Sequence, residues 1–280
     1  MSFLKILTSF FGLFGAGRSP AAILNLFAPR RGYHVHRDIP YGAGPRHRLD
    51  LYVPDALQAP APVVLFFYGG AFQAGRKGEY RVVGEGLASK GIIVAIADYR
   101  IHPEVRFPDF LKDGAKAFAT LRGLVTRYGG DAQRIFLAGH SAGGHIAVML
   151  AVNPRYLEDE NIETSTIRGV IGIAGPYDFL PITDRTLIEI FGGSTRPETQ
   201  PINFITGKKP PMLLATGAED GRVQIKSTRN LSARLREAGS EVEEIVYPGV
   251  GHMGIILALA PGFRHRAPLR DDIARFVFTH

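Results

Sequence analysis

The chain has 280 residues, of which 45% are hydrophobic and 21% are charged. This length and this balance are typical of one globular domain with a large core, and they exclude collagen-like, fibrous and largely disordered proteins. Its 33 basic residues exceed its 26 acidic residues, but they are scattered along the chain, which argues against nucleic-acid binding. Because cysteine is absent, disulfides, thiolate metal sites and a cysteine nucleophile are excluded.

An apolar segment near the N-terminus is the one ambiguous targeting signal. Residues 6–17 carry no charge, but Lys5 interrupts the apolar stretch that begins at Phe3. This stretch is too short to span a bilayer. We therefore expect the protein to be cytoplasmic and residues 1–32 to form an apolar, helical segment that docks on the protein's own core or contacts a membrane surface. Export, with residues 3–17 forming part of a cleaved signal, is the alternative. The oligomeric state is left open.

From Tyr33 to the C-terminus, residues 33–280, the pattern predicts one α/β domain. Two half-exposed strands, Tyr33–Ile39 and Arg48–Val53, are expected to form an antiparallel entry to a sheet. The further predicted strands are Pro62–Tyr68, Ile92–Ala97, the apolar run from Arg134 to the following serine turn, Gly169–Ala174, Pro211–Thr216 and Glu241–Tyr247. The predicted helices are Ala21–Ala28, Arg81–Lys90, Pro108–Tyr128, Ile146–Val152, Thr183–Phe191, Gln224–Ala238 and Leu269–Phe278. This alternation predicts a mostly parallel sheet with helices on both faces.

One connection, residues 176–210, is too long to be an ordinary loop. We expect it to form a small lid over the carboxyl ends of the strands, where α/β proteins bind their ligands. Its apolar residues are expected to line a small pocket: Phe179, Leu180, Ile182, Leu187, Ile190 and Phe191. One short helix cannot enclose a long chain, so we expect a preference for acyl groups of about two to six carbons.

The pentapeptide Gly139-His140-Ser141-Ala142-Gly143 matches the G-x-S-x-G pattern of a nucleophile elbow. Its glycines leave room for a strained turn that lifts the Ser141 hydroxyl clear of the sheet. The N–H of Ala142 then lies at a helix N-terminus, facing any anion formed beside Ser141. An ordinary strand-to-helix turn is the alternative, but the buried run before it and the Ala-rich helical stretch after it favour the elbow.

A serine nucleophile needs a base that can take its proton. Of the nine histidines, His252 lies on a glycine-flanked turn after the last predicted strand, which completes the chain order Ser…Asp…His expected after such an elbow. His140 is next to the serine but is expected to point away from it. We interpret His140 and the remaining seven histidines as surface or satisfied core residues.

The acid that orients the base should lie between the serine and the histidine. Asp220 directly follows the strand Pro211–Thr216 and is the favoured candidate. Glu219 is adjacent and chemically adequate, whereas Asp178 follows the preceding strand and is better explained as holding a turn.

The loop Tyr68-Gly69-Gly70-Ala71-Phe72 follows the first fully buried strand. Its two glycines let backbone N–H groups approach a carbonyl oxygen without an intervening side chain. We expect the N–H groups of Gly70 and Ala71, together with that of Ala142, to form an oxyanion hole. An ordinary Gly-Gly turn is the alternative.

Four motifs in this order resemble those of α/β-hydrolase-fold esterases. They are Tyr68 to Phe72, Asp98-Tyr99-Arg100-Ile101-His102-Pro103, Gly139 to Gly144, and Gly217 to Val223. The chain is most similar to the bacterial carboxylesterase group related to feruloyl esterases, kynurenine formamidases and hormone-sensitive-lipase-like enzymes. In that group the first loop usually starts with His, where this chain has Tyr68, and Trp is common where it has Phe72.

The resemblance implies hydrolysis of a small-molecule carboxylic ester without a metal or a cofactor. In this hypothesis Ser141 is the nucleophile, His252 the general base and Asp220 the acid that orients it. Two alternatives stay open: an arylformamidase or amide hydrolase that uses the same residues, and a non-catalytic binding protein with the same fold.

Overall fold

The computed structural model describes residues 25, 28–58 and 60–280. The apolar N-terminal segment and most of the predicted helix Ala21–Ala28 lie outside these residues. Within the described ranges, no helix has both the length and the apolar character that a bilayer crossing requires.

Eight strands form the central sheet. They are β1 (Tyr33–Pro40), β2 (Arg48–Pro54), β3 (Ala61–Phe67), β4 (Ile93–Ala97), β5 (Gly130–His140), β6 (Ile167–Ile173), β7 (Met212–Gly217) and β8 (Val242–Tyr247). Their order across the sheet is β1-β2-β4-β3-β5-β6-β7-β8. Strand β2 is antiparallel to both of its neighbours, and the six strands from β3 to β8 are mutually parallel. The predicted mostly parallel α/β sheet is confirmed.

Eight α-helices connect or flank these strands in the described part of the chain. They are α1 (Arg81–Ala88), α2 (Asp109–Leu124), α3 (Ala142–Val152), α4 (Arg155–Glu158), α5 (Arg185–Phe191), α6 (Ile225–Glu237), α7 (Gly254–Leu257) and α8 (Leu269–Thr279). Helix α3 is buried along its whole length, because it packs on the middle of the sheet. A helix that is apolar all round, as α3 is, fits such a fully covered position.

The core explains why the inner strands are continuously apolar. Every residue of β3 and β4 is buried, as expected for parallel strands that are covered on both faces. The entry strand β1 is only partly buried and alternates accordingly. A continuous run of apolar residues therefore marks a central strand of the sheet, and alternation of apolar and polar residues marks an edge strand.

Strand β5 begins at Gly130, four residues before the predicted apolar run. Its first residues are polar because they lie at the margin of the sheet, where Gly130 pairs with Ala61 of β3. Two short helices were not predicted: α4, in a polar connection, and α7, directly after His252. Both are single turns, too short for hydrophobic periodicity to reveal.

The parallel topology brings four chain segments to one edge of the sheet. Ser141 follows β5, Asp220 follows β7, His252 follows β8, and the loop 68–72 follows β3. Because the carboxyl ends of parallel strands share an edge, residues far apart in sequence meet there.

Candidate active site

Ser141 lies in a strained turn between β5 and α3. Its backbone has φ 55° and ψ −121°, a conformation that costs free energy for a residue with a side chain. Two close approaches maintain the turn: a Cβ on Gly139 would lie 2.1 Å from the carbonyl oxygen of Gly143, and one on Gly143 would lie 2.0 Å from that of Phe67. The N–H of Ser141 donates to the carbonyl of Ile173 in β6 at 2.9 Å. Both glycines of the pentapeptide are thus required by sterics.

The structure brings the three predicted side chains into one hydrogen-bonded chain. His252 Nε2 lies 3.0 Å from Ser141 Oγ, and His252 Nδ1 lies 2.8 Å from Asp220 Oδ2. Because a carboxylate only accepts, Nδ1 carries the proton and donates it to Asp220, which leaves Nε2 free to accept from the serine. The side chain of Asp220 is fully buried and that of His252 is 8% exposed. Contact with Asp220 therefore fixes the tautomer that a general base needs.

Asp220 is held in place by its own loop. Its other oxygen, Oδ1, accepts hydrogen bonds from the N–H groups of Arg222 and Val223, both at 2.9 Å. Burial raises the pKa of Asp220, but the hydrogen bonds from His252, Val223 and Arg222 outweigh it and hold this pKa below its usual range. The carboxylate is consequently charged when His252 needs a partner.

The two rival acids occupy other positions. Glu219 is exposed, and its backbone N–H donates to the carbonyl of Val250, which ties the loop after β7 to the loop after β8. Asp178 accepts a hydrogen bond from Asn230 of α6 at 2.6 Å, so it links the start of residues 176–210 to a helix.

The loop 68–72 passes directly beside the serine. A Cβ on Gly69 would lie 2.9 Å from His140 Nδ1 and 3.0 Å from Cβ of Ser141, so the loop approaches the serine turn closely at this glycine. Ala71 and Phe72 both have positive φ, of 52° and 60°. Among the residues that the structure describes, the N–H groups of Gly70, Ala71 and Ala142 have no hydrogen-bond partner. Three backbone donors near one serine can stabilise a developing oxyanion.

His140 does more than the sequence suggested. Its side chain is buried, and its Nε2 donates to the carbonyl of His252 at 3.0 Å, while its ring lies 4.8 Å from the His252 ring. Burial, reinforced by the neighbouring His252, lowers the pKa of His140 to about 3, so the ring is neutral. It therefore joins the serine turn to the loop that carries His252. The available signal in the sequence was a histidine next to Ser141, but sequence alone does not show which carbonyl that histidine contacts.

An aromatic cluster lies between α3 and residues 176–210. Its rings pack at centroid distances of 4.6–6.5 Å and belong to Phe72, Phe107, Phe110, His145, Phe179 and Phe191. His145 lies one turn after Ser141, and its Nε2 donates to the carbonyl of Thr199 at 2.8 Å. Burial lowers the pKa of His145 to about 4. The cluster thus packs residues 176–210 onto the helix that follows the serine.

Of the predicted pocket residues, Ile182, Ile190 and Phe191 are buried in the core, and Phe179, Leu180 and Leu187 are half-buried. Helix α5 is also tied to the loop after β4: the N–H of Phe107 donates to the carbonyl of Ile190 at 2.9 Å, and Glu189 pairs with Arg106 at 2.5 Å. Residues 176–210 are therefore docked on the body of the protein.

The groups near Ser141 that can act on a substrate are side chains and backbone N–H groups. Among the residues described, no three acidic or histidine side chains converge as a metal-binding group. The arrangement can deprotonate a serine hydroxyl and stabilise an oxyanion, which are the two requirements of acyl transfer.

The sheet order, the crossover connections and the serine turn define an α/β-hydrolase-fold protein. A family model described as BD-FAE matches residues 49–235, which include Ser141 and Asp220. The chain belongs to the BD-FAE family. The resemblance to α/β-hydrolase-fold esterases that the motifs indicated is confirmed.

Named relatives agree with this assignment. A probable isoprenylcysteine alpha-carbonyl methylesterase of Arabidopsis thaliana is 31% identical over 247 residues, covering 80% of this chain and 52% of that protein. Esterase LipC of Mycobacterium tuberculosis is 32% identical over 254 residues, with 80% and 61% covered. The chain therefore spans about half to three fifths of the length of these relatives. A solved thermophilic esterase of Thermogutta terrifontis superposes with a TM-score of 0.66 at 26% identity, covering 81% of this chain and 85% of that one.

The buried histidines predict a specific loss of stability in acid. The folded-state pKa values of His140 and His145, about 3 and about 4, lie below the unfolded value of about 6.5, so the unfolded chain binds more protons below that pH. Their contribution is present above about pH 6.5 and is lost as the pH falls from there towards 4. Each histidine adds up to about 1.4 kcal/mol per pH unit to this loss.

The free energy of unfolding, measured in urea from neutral pH to about pH 4.5, should depend less steeply on pH in His145→Gln, which keeps a donor for Thr199 but does not titrate. His265→Gln, at an exposed position, is the matched control and should leave the slope unchanged. Parallel curves for wild type and His145→Gln would contradict the assignment of a buried, neutral His145.

Proposed function

We propose that the protein is a serine carboxylesterase that hydrolyses short-chain esters through an acyl-enzyme. The observation that carries the proposal is the continuous contact from Ser141 through His252 to Asp220, at 3.0 and 2.8 Å. In α/β-hydrolase-fold proteins such a constellation, with unpaired N–H groups beside the serine, supports acyl transfer. The names of the relatives, which are esterases, support the same reaction class.

In the proposed mechanism, Ser141 Oγ attacks the ester carbonyl carbon while His252 Nε2 takes its proton. The carbonyl oxygen becomes an oxyanion that the N–H groups of Gly70, Ala71 and Ala142 stabilise. The C–O bond to the alcohol then breaks, and His252 returns the proton to the leaving alkoxide. Water repeats the two steps on the acyl-enzyme and releases the acid. Asp220 stays ionised and stabilises the imidazolium, consistent with its lowered pKa.

The packing around Phe72 supports a short acyl group. This residue directly follows the proposed oxyanion donors, is 2% exposed, and its ring lies 5.2 Å from that of Phe191. Because these rings already fill the space between the loop 68–72 and helix α5, they limit the length of the acyl group that can enter on that side. Residues 176–210 act as a fixed cover in this proposal, a small lid within the domain of residues 33–280.

Removing the nucleophile or the base should abolish turnover. Ser141→Ala and His252→Ala should each lower kcat for p-nitrophenyl acetate by on the order of 10⁴-fold or more, because the two side chains act as one unit. The double variant should lose little more than either single variant. Near-native turnover in either single variant, with an unchanged unfolding midpoint, would show that the two residues do not form the catalytic pair.

The choice of acid is tested by two neighbouring isosteric changes. Asp220→Asn should lower kcat by on the order of 10³-fold or more, since an amide at this position disturbs the tautomer of His252. Glu219→Gln is the matched control and should have little effect, because its side chain is exposed. Steady-state kinetics on both variants decide which residue is the acid. A larger loss of kcat in Glu219→Gln than in Asp220→Asn would assign the acid to Glu219.

Acyl preference is tested with p-nitrophenyl esters from acetate to palmitate. We expect kcat/KM to peak at about two to six carbons, because further methylenes find no apolar wall and lose the ~0.8 kcal/mol that burial of each would add. A kcat/KM that still rises beyond about eight carbons would contradict the short pocket. If that rise disappears on deletion of residues 1–17, the N-terminal segment supplies the additional wall.

The two other hypotheses differ from this proposal in measurable ways. A formamide or amide hydrolase would share every residue named here, so a substrate panel of matched aryl esters and aryl formamides separates the two reactions. A non-catalytic binding protein would leave Ser141 unreactive towards a fluorophosphonate. We expect stoichiometric labelling of the wild type and none of Ser141→Ala.

A further inference from the structure

The loop that carries the proposed oxyanion donors begins at a buried tyrosine. Tyr68 is fully buried, and its ring stacks between those of Tyr80, at 5.6 Å, and Tyr99, at 4.7 Å. All three side chains are at most 3% exposed. We call these three residues the tyrosine stack. Aromatic rings packed in this way are rigid and resist displacement.

Two hydroxyl groups of the stack bind backbone carbonyls of the loop. Tyr99 donates to the carbonyl of Tyr68 at 2.7 Å, and Tyr80 donates to that of Gly69 at 3.2 Å. The next carbonyl, that of Gly70, accepts from the N–H groups of Gln73 and Ala74 at 2.9 and 3.0 Å. Three successive carbonyls are therefore each held by a donor within the protein.

A held carbonyl fixes the N–H of the following residue. The peptide group is planar and trans, so its C=O and N–H point in opposite directions. The bond from Tyr80 to the Gly69 carbonyl therefore sets the direction of the Gly70 N–H. The bonds to the Gly70 carbonyl set that of the Ala71 N–H in the same way. These are the two loop donors that remain unpaired beside Ser141.

Arg46 secures the stack from the connection between β1 and β2. Its Nη2 donates to the Tyr68 hydroxyl and to the carbonyl of Gly75, both at 2.6 Å, and its Nε donates to the carbonyl of Tyr99 at 2.8 Å. One guanidinium thus joins the buried ring of Tyr68 to both chain segments that enclose it. Since five donors in a fixed plane suit such multiple acceptors, lysine would not replace it.

We propose that Tyr80 is a positioning residue for the oxyanion hole, acting through the Gly69–Gly70 peptide, and that the tyrosine stack with Arg46 is its support. The inference rests on the proposed function, because it assigns a purpose to N–H groups that need a reaction to act on. It goes beyond the three proposed catalytic side chains, which among the described residues form no hydrogen bond or ring pair with the stack. The role is electrostatic preorganisation: the donors point at the oxyanion before it forms.

The test removes single hydroxyl groups and keeps the rings. Tyr80→Phe should lower kcat for p-nitrophenyl acetate about ten-fold with KM little changed, because the oxyanion exists in the transition state and not in the bound ester. Complete removal of such a donor costs about 10²–10³-fold, and a loosened donor should cost less. Tyr99→Phe should cause a smaller loss of kcat. The Tyr99 hydroxyl holds the carbonyl of Tyr68, which sets the direction of the Gly69 N–H, and Gly69 is not one of the proposed oxyanion donors.

Tyr33→Phe is the matched control. Its hydroxyl also donates to a backbone carbonyl, that of Pro29 at 2.7 Å, but at the far edge of the sheet. This variant should retain wild-type kcat. Binding of a short alkyl trifluoromethyl ketone, which forms a tetrahedral oxyanion on the serine, should weaken about ten-fold in Tyr80→Phe. Binding of the matching methyl ketone, which stays trigonal, should not change. A general destabilisation of the Tyr80→Phe variant would weaken the binding of both ketones equally.

Several results would overturn the proposal: a wild-type kcat in Tyr80→Phe, a loss confined to KM, equal weakening of both ketones, or a larger kcat loss in Tyr99→Phe than in Tyr80→Phe. If Tyr80→Phe does not fold, the two ketones measured on Tyr99→Phe carry the test. The trifluoromethyl ketone alone should then bind more weakly, by less than about ten-fold, and an unchanged ratio of the two affinities would contradict the proposal. The wild type and Ser141→Ala keep the outcomes distinct. If the wild type lacks serine-dependent esterase activity, the proposed function fails. If the wild type is active and the tyrosine variants match it in kcat and in ketone binding, only this inference fails.

Discussion

The geometry of the site depends on how closely the turn at Ser141 approaches the end of strand β3. The carbonyl of Phe67 occupies the space where a side chain on residue 143 would begin, and the carbonyl of Gly143 occupies that space for residue 139. This contact forces the strained backbone of Ser141 and brings the loop 68–72 against it. The surrounding core maintains the strain, because β3, β5 and α3 are fully packed on one another. One steric constraint thereby places the proposed nucleophile beside the proposed backbone donors.

Much of the fold could be predicted because its signals are local. Five continuous apolar residues, Val63 to Phe67, indicated a strand that is covered on both faces, and the turn at Ser141 was recognisable from a pentapeptide. The positions of His252 and Asp220 followed from chain order and from the common edge of a parallel sheet. The topology alone was sufficient to predict that these two residues lie close together in space.

What the sequence could not provide were contacts between distant segments that leave no periodic pattern. Nothing in the turn containing Arg46 indicates that its guanidinium reaches Tyr68, 22 residues later in the chain. The same holds for His140, whose partner is a backbone carbonyl 112 residues away. Any residue has such a carbonyl, so no residue type at position 252 could have signalled the bond. The identity of a side chain predicts which reactions it can take part in, whereas these hydrogen bonds depend on how the loops pack against one another.

Strand β6 stands apart from its neighbours at the functional edge. The candidates for nucleophile, base and acid follow β5, β8 and β7, whereas β6 leads into residues 176–210 and contributes the Ile173 carbonyl that accepts from the Ser141 N–H. A backbone carbonyl is supplied by any amino acid. None of these candidate side chains lies within residues 176–210, which pack on helix α3 through Phe179, Phe191 and the carbonyl of Thr199. Outside these docking contacts, the segment can therefore diverge in sequence and length without displacing the candidate side chains. For protein engineering, this makes residues 176–210 a natural region to exchange between homologues when a new substrate range is sought.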